Sequence, residues 1–144
     1  MSYYLRKRSI FARKLKIIKY LAMIRELLFV GAGGFLGSVT RYGISILVKN
    51  MGTGFPWGTL IANLLGCFLI GLLYGLGNRH AVLSANTMLF LTVGFCGGFT
   101  TFSTFSKEGI LLMQAGNWGV FFLYVFGSVF LGLLAVAGGL WAGK

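Results

Sequence analysis

Four apolar stretches, each long enough to cross a lipid bilayer, account for most of this 144-residue sequence. They cover about residues 26–48, 57–77, 86–113 and 118–141. A membrane-spanning helix needs roughly 20 predominantly apolar residues, and every stretch reaches that length. The sequence therefore predicts an all-α membrane protein with four transmembrane helices, and it leaves no room for a sizeable soluble domain.

The composition indicates a lipid environment and argues against catalysis. Hydrophobic residues make up 57% of the chain and charged residues 10%, whereas a soluble domain carries about 25% charged residues. Asp is absent, Glu26 and Glu108 are the only acids, and the single histidine, His80, lies in a short polar loop. General acid–base catalysis has almost no candidate residues, so we expect no enzyme activity.

Residues 1–23 form a basic extension before the first span. We expect either a basic amphipathic segment on the cytoplasmic membrane face, attracted to anionic lipid, or a disordered tail. A protein that really begins at Met23 is a further alternative. The expected partner of the basic side chains is the lipid bilayer and not a nucleic acid. These side chains are Arg6, Lys7, Arg8, Arg13, Lys14, Lys16 and Lys19, followed by Arg25.

The third stretch contains the string GFCGGFTTFSTFSKE at positions 94–108. We expect Gly97-Gly98 to end one half-helix and Thr100-Thr101 to begin another, which predicts a break near 97–100 close to the membrane midplane. Lipid cannot satisfy a backbone that leaves the helix, so protein must enclose such a break or the break must line a polar cavity. Carbonyls freed at the end of the first half suit a small hard cation such as Na⁺. The break therefore indicates an ion or substrate site.

After the break, phenylalanines alternate with hydroxyl residues. Phe102 and Phe105 share one helix face, while Thr101, Thr104 and Glu108 lie near another. A phenylalanine stripe at helical spacing is usually a packing face, but alternation with hydroxyls has little use on a surface that meets only lipid. Glu108 is either a structural hydrogen-bond acceptor or a pore-mouth residue, and we favour the structural role.

The first two spans carry small and polar residues at helical spacing. Gly33 and Gly37 form a G-x-x-x-G face suited to close helix contact. Arg41 lies about 10 Å inside the end of its span, so it either snorkels to the interface or faces an aqueous vestibule. Thr59 and Asn63 share a face of the second span. These residues either form hydrogen bonds between helices or provide a donor that faces a pore. The pattern of the third span favours the pore-facing role.

Three residues of the fourth span and two cysteines complete the candidates inside the membrane. Tyr124, Ser128 and Gly132 form one narrow face, which is either a packing groove or part of a polar track. Cys67 and Cys96 fall inside the second and third spans and are typical of small core residues. No C-x-x-C motif or neighbouring histidine supports a metal site or a disulfide.

Three strings resemble the Fluc (CrcB) family of fluoride channels in order and spacing. They are GGFLGSVTRY at 33–42, WGTLIANLLG at 57–66 and GFCGGFTTFSTFSKE at 94–108. The resemblance covers about residues 24–144 and identifies them as a four-helix channel domain. It implies a multi-pass protein of the cell inner (plasma) membrane, assembled as an antiparallel dual-topology dimer with two pores. The implied function is selective, passive export of fluoride, which lowers cytoplasmic fluoride toxicity.

The resemblance also implies roles for individual residues. Gly97 and Thr100 would offer backbone carbonyls, from both subunits, to a central structural Na⁺. Asn63 would donate its amide to fluoride, and the ring edges of Phe102 and Phe105 would face the anion. Arg41 would lie at the vestibule where anions collect. Family members often carry a further hydroxyl at the position of Gly132. The implied polar-track residues are Thr101, Thr104, Tyr124 and Ser128.

Basic residues near the span ends bear on orientation through the positive-inside rule. Without residues 1–22, one side of the membrane receives three basic residues and the other two or three, a balance that suits an antiparallel homodimer. The extension adds seven to the first side, making ten. We hypothesise that it favours a cytoplasmic N-terminus, so that the chain pairs with an oppositely oriented paralogue or tolerates the bias. The first side holds Arg25, Arg79 and Lys144, and the second holds Lys49 and Lys107, with Arg41 if it snorkels outward.

Two rival functions stay open on the sequence. A small multidrug-type transporter also uses four short spans in an antiparallel dimer, but it needs a membrane-embedded carboxylate in the first span. Only Glu26 is available there, at the very edge of the span. A non-transporting adaptor subunit would use the glycines for packing and would leave the alternation of hydroxyls and phenylalanines unexplained. The fluoride channel is the favoured interpretation.

Overall fold

The computed structural model describes residues 2–49, 51, 54–79 and 83–144, with side chains from residue 13 onward except those of 78 and 79. The polar loop with His80, and the basic side chains before residue 13, lie outside this description. All the regular structure in the described residues is helical. The elements are α1 (Ser2–Leu47), α2 (Trp57–Arg79), α3 (Ala85–Met88), a π-helical segment (Leu89–Cys96), α4 (Gly97–Phe99), α5 (Phe102–Gln114) and α6 (Trp118–Ala142).

The prediction of four membrane spans is confirmed. Four helical stretches of the described chain are long and apolar enough to cross a bilayer: Arg13–Leu47, Trp57–Gly77, Ala85–Gln114 and Trp118–Ala142. Their ends lie within one or two residues of the predicted ones, except at the N-terminal end of the first.

The first span is part of one uninterrupted helix. α1 runs for 46 residues, with no break at the predicted boundary between residues 23 and 24. At about 1.5 Å per residue it is about 69 Å long, more than twice the roughly 30 Å thickness of a hydrocarbon core. The extension is therefore a helical continuation of the span beyond one membrane face. Its attraction to anionic lipid stays a prediction.

The outer surface of the helix bundle is apolar. The most apolar window of α6 has a mean hydropathy of 2.4, yet only 11% of it is buried against the rest of the chain. Leu123, Phe126 and Leu133 on this helix are 67–68% exposed. Soluble monomers rarely expose a contiguous apolar surface of more than a few hundred Å². The exposed faces therefore suit contact with lipid or with another transmembrane chain.

The third span is interrupted at two threonines. Thr100 (φ −82°, ψ 158°) and Thr101 (φ −151°, ψ 120°) are extended and separate α4 from α5. The helix is bent by 17° at this point. The predicted break is confirmed, but Gly97 and Gly98 stay helical. A Cβ on Gly98 would lie 2.9 Å from the Cα of Gly34 on α1, so this glycine serves close packing and does not end the helix.

Glycines bring two pairs of helices into backbone contact. A Cβ on Gly33 would lie 2.8 Å from the amide N of Phe95, and one on Gly37 would lie 2.8 Å from the amide N of Phe99. The predicted G-x-x-x-G contact is thus confirmed, and we call this interface the α1 seam. An equivalent interface joins α2 to α6, where Gly71, Gly75, Gly139 and Gly143 lie against the opposite backbone.

Adding one methyl group at the α1 seam is expected to lower stability. Gly33→Ala and Gly37→Ala place a Cβ against backbone atoms that cannot rotate away, at a cost of about 1–3 kcal/mol. Gly31→Ala and Gly43→Ala on the same helix are matched controls, because nothing lies within 4 Å of a Cβ there. Thermal unfolding of the purified protein in detergent should show a lower Tm for the first pair only. Equal Tm values for all four variants would contradict the seam.

Candidate functional site

The unwound backbone at the break is held partly by its own threonine side chains. The amide N and Oγ1 of Thr100 both donate to the carbonyl O of Cys96 at 2.9 Å and close the first half of the span. Thr101 is the N-cap of α5, and its Oγ1 accepts from the amide N of Thr104 at 3.3 Å. A threonine suits this position because its hydroxyl satisfies an amide that the helix start leaves free.

Asn63 on α2 supports the break from outside. Its Oδ1 accepts from the amide N of Thr101 at 2.8 Å, and its Nδ2 donates to the carbonyl O of Thr101 at 3.2 Å. The amide therefore pairs with both backbone groups of the residue that has left the helix. Of the two roles that the sequence left open for Asn63, the structure shows the interhelical hydrogen bond. Its role as a fluoride donor stays a prediction, for which the second Nδ2 hydrogen is free, since a primary amide has two.

Arg41 on α1 also reaches the break. Its Nε donates to the carbonyl O of Gly98 at 3.3 Å, and Ser38 Oγ donates to the same oxygen at 3.4 Å. In contrast, no backbone or side-chain donor in the described part of the chain reaches the carbonyls of Gly97 and Thr100. Of these three carbonyls, that of Gly98 accepts from a cationic side chain, and those of Gly97 and Thr100 remain able to accept.

A cavity of about 380 Å³ opens beside the break, and we call it the inner cavity. Neither acids nor bases occur among its lining residues. The Phe102 and Phe105 rings on its wall lie 5.8 Å apart between centroids, and Phe102 is 79% exposed in the single chain. The lining comprises Asn63, Gly66, Cys67, Ile70, Cys96, Gly97, Thr100, Thr101, Phe102, Phe105, Ser128 and Val129.

Ser128 gives the inner cavity a hydroxyl without a partner. Its Oγ is buried and makes no hydrogen bond with any described residue. Other hydroxyls inside the spans behave differently: those of Thr40, Thr92 and Ser106 each donate to a carbonyl four residues earlier on the same helix. Because buried polar groups are nearly always paired, the Ser128 hydroxyl is available as a donor to a ligand in the cavity.

A second cavity of about 400 Å³, which we call the outer cavity, is lined by residues of α1, α2, α5 and the loop between α1 and α2. Its polar lining includes the cations Arg41 and Lys49, the hydroxyls of Thr59 and Thr104, and the carboxylate of Glu108. The Thr101 hydroxyl, on the wall of the inner cavity, donates to the Thr104 hydroxyl, on the wall of the outer one, at 3.1 Å. The two cavities are thus joined by a pair of hydrogen-bonded hydroxyls.

Glu108 ties three helices together. Its Oε1 accepts from Thr59 Oγ1 of α2 at 2.9 Å, and its Oε2 accepts from the hydroxyl of Tyr124 on α6 at 2.7 Å. Tyr124 is fully buried, and its ring packs 5.1 Å from that of Phe105. The favoured structural role of Glu108 agrees with these contacts. The sequence analysis did not identify Thr59 as the partner of Glu108. The available indication was that a carboxylate inside a span needs hydrogen-bond donors, and that the Thr59 hydroxyl is such a donor.

The structure brings most of the predicted site residues to the two cavities. The inner cavity collects the metal and pore candidates, and the outer cavity receives the vestibule candidate Arg41 together with Thr104. Tyr124 lies on the wall of neither cavity: it is fully buried, and its hydroxyl donates to Glu108. No group of three or more His, Cys, Asp or Glu side chains in the described residues could hold a metal. The backbone carbonyls of Gly97 and Thr100, which suit a hard cation, are the remaining donor set.

Removing the Asn63 side chain should loosen the break. Asn63→Ala leaves the Thr101 amide and carbonyl unpaired, at a cost of about 1–3 kcal/mol per buried group. Backbone amide hydrogens at the break should therefore exchange at least roughly tenfold faster than in the unmodified chain. Hydrogen exchange of peptides spanning residues 98–105 measures this directly. Asn117→Ala is the matched control, since the Asn117 side chain makes no capping bond at the start of α6. Equal protection at the break in both variants would show that the amide does not hold it.

A protein-family model matches residues 28–140, and its description is CrcB-like protein, Camphor Resistance (CrcB). Curated relatives cover most of the same region. A protein of Phocaeicola vulgatus is 48% identical over 119 residues, which are 82% of this chain and 98% of the relative. One of Bacteroides fragilis is 46% identical over 125 residues, 84% of this chain and 98% of the relative.

A relative from a third organism gives the same result. A protein of Thermus thermophilus is 54% identical over 107 residues, which are 74% of this chain and 85% of the relative. All three relatives are named "Fluoride-specific ion channel FluC". Residues 28–140 include the second and third spans with the break, most of the first and fourth spans, and the lining residues of both cavities.

Proposed function

The chain belongs to the CrcB family, and we propose that it is a fluoride-specific ion channel that lets fluoride leave the cell passively and so limits its toxicity. It is a multi-pass protein of the cell membrane and not an enzyme. Nothing in the relatives or in the structure favours the multidrug-type transporter: the only acid of the first span, Glu26, is exposed.

The free hydroxyl of Ser128 carries the proposal. Fluoride is small and tightly hydrated, so a pore must replace its water with closely spaced donors. The inner cavity offers the Ser128 hydroxyl, the second amide hydrogen of Asn63 and the positive edges of the Phe102 and Phe105 rings. Because none of these groups is charged, each site is weak enough for the ion to leave again, as conduction requires.

The path runs from the outer to the inner cavity. Arg41 in the outer cavity attracts anions toward the break. The hydrogen-bonded hydroxyls of Thr101 and Thr104 then provide donors between the two cavities. Hydroxyl groups rotate at little cost, so each can turn its hydrogen from its neighbour to a passing fluoride.

The Gly97 and Thr100 carbonyls support a structural Na⁺. Their lack of donors fits a cation that takes oxygen ligands, and the sequence resemblance assigns the same two residues. When bound, the ion supplies a fixed positive charge that favours anions in the interior. Two carbonyls fall short of a complete oxygen shell, so a second subunit completes the site.

Dimer formation follows from the same incompleteness. Phe102 is 79% exposed on the single chain although it lines the inner cavity, so a partner chain is needed to enclose the pore. An antiparallel dimer of two such chains provides this enclosure. The basic extension bears on the choice between a homodimer and a heterodimer with an oppositely oriented paralogue.

Fluoride efflux from liposomes tests the channel. The purified protein should release fluoride rapidly and passively, with little chloride flux and no dependence on a proton gradient. Phe102→Ile, Asn63→Asp and Ser128→Ala should each reduce this flux at least tenfold while the dimer stays assembled, because each removes or alters a donor of the inner cavity.

Two substitutions outside the cavities are the controls for these variants. Phe130→Ile replaces a lipid-exposed ring of α6, and Thr40→Val removes a hydroxyl that is bonded only to its own helix. Both should retain the flux of the unmodified chain. Unchanged flux in Phe102→Ile and Ser128→Ala would contradict the assignment of the inner cavity as the pore.

The orientation of the chain can be measured separately. Reporters fused to the C-terminus, each active on one side of the membrane only, should show that chains with the full extension insert mainly with a cytoplasmic N-terminus. Replacing the seven basic residues of the extension by Gln should equalise the two signals. Equal signals from the unmodified chain would mean that it inserts in both orientations and forms a homodimer.

A further inference from the structure

Both cysteines of the chain meet at one cavity, although they are far apart in sequence. Cys67 on α2 and Cys96 in the π-helical segment line the inner cavity. The sulfur of Cys67 lies 3.6 Å from the place that a Cβ on Gly132 would take, so it faces α6 one turn beyond Ser128. Cys67 and Cys96 thus bring two thiols to the wall of one space of about 380 Å³, which is large enough to admit a metal ion.

The surroundings leave the thiols as the only soft ligands of this cavity. Both cysteines are free, and no histidine, acid or base lines the inner cavity. The other candidate ligands there are hydroxyl, amide and carbonyl oxygens, which prefer hard cations. Thiolates instead select soft metal ions, and such ions commonly accept two sulfur ligands.

We propose that Cys67 and Cys96 form a two-thiol site for a soft, thiophilic metal ion, and that its occupation closes the conduction path. With Hg²⁺, each S–H bond breaks as an S–Hg bond forms, and two protons pass to water. No oxidant or reductant takes part, and the bis-thiolate product is neutral.

Closure follows from the position of the site. The two sulfurs share the cavity wall with Asn63, Phe102 and Ser128, so a metal between them occupies the space that a fluoride ion must cross. The closure rests on the proposed channel function, whereas the binding of the metal does not. The two parts therefore need separate measurements.

Metal binding is measured on the purified full-length chain with Hg²⁺ as the probe. One equivalent should remove both titratable thiols, and a dithiol reductant should restore them. Cys67→Ala and Cys96→Ala should each bind Hg²⁺ at least tenfold more weakly than the unmodified chain. Single variants that bind as tightly would overturn the shared site.

A bifunctional fluorogenic reagent that must bridge two thiols tests proximity without any substitution. The unmodified chain should give the fluorescent intramolecular product, and prior addition of Hg²⁺ should prevent it. Modification of each thiol alone, with no bridged product, would overturn the proposal even if both alanine variants fail to fold.

Fluoride efflux tests closure. Hg²⁺ should reduce the efflux of the unmodified chain at least tenfold, reversibly, whereas the cysteine-free double variant Cys67→Ala/Cys96→Ala should keep its own efflux before and after Hg²⁺. Equal block in the double variant would overturn the thiol site. Absence of any efflux from the unmodified chain would count against the proposed function and against closure, while the Hg²⁺ stoichiometry would still decide whether the site exists.

Discussion

The whole arrangement depends on two residues that leave a helix where lipid offers no hydrogen bonds. Thr100 and Thr101 give up the helical ladder, and each unpaired backbone group there would cost several kcal/mol in hydrocarbon. The Asn63 side chain forms hydrogen bonds with both backbone groups of Thr101, and Arg41 donates to the carbonyl of Gly98. Polar side chains of three different spans thus lie together at the break, because the backbone groups there need hydrogen-bond partners.

The glycines make this gathering possible. At the α1 seam the backbones touch, so the short reach from Arg41 and Ser38 to the break is maintained. The proposed function uses the groups that these hydrogen bonds leave unpaired: the Ser128 hydroxyl, one amide hydrogen of Asn63 and two carbonyls. In that proposal, fluoride conduction and a structural Na⁺ both use groups that are not needed to stabilise the break. The same few residues therefore support the fold and the proposed path.

Sequence alone was sufficient for the spans, the interruption and the α1 seam, because hydropathy and glycine spacing act locally. It was less able to place the break, since Gly97-Gly98 looked like the helix breaker. The hydroxyls of Thr100 and Thr101 proved to be the stronger local signal, while Gly98 is explained by a contact on α1. Partners across helices could not be predicted in this way. Thr59 meets Glu108 because of how α2 is rotated relative to α5. The residue periodicity of a single helix gives no information on that rotation.

Backbone contact at the two glycine-lined interfaces has a dynamic consequence. Helices whose main chains interlock cannot slide past one another without steric overlap, so α1 moves with the third span and α2 with α6. Helix shifts typically take microseconds to milliseconds, whereas rotations of exposed side chains take picoseconds to nanoseconds. We therefore expect the proposed channel to pass its ion by rotations of hydroxyls and rings within two fixed helix pairs, rather than by helices sliding past one another.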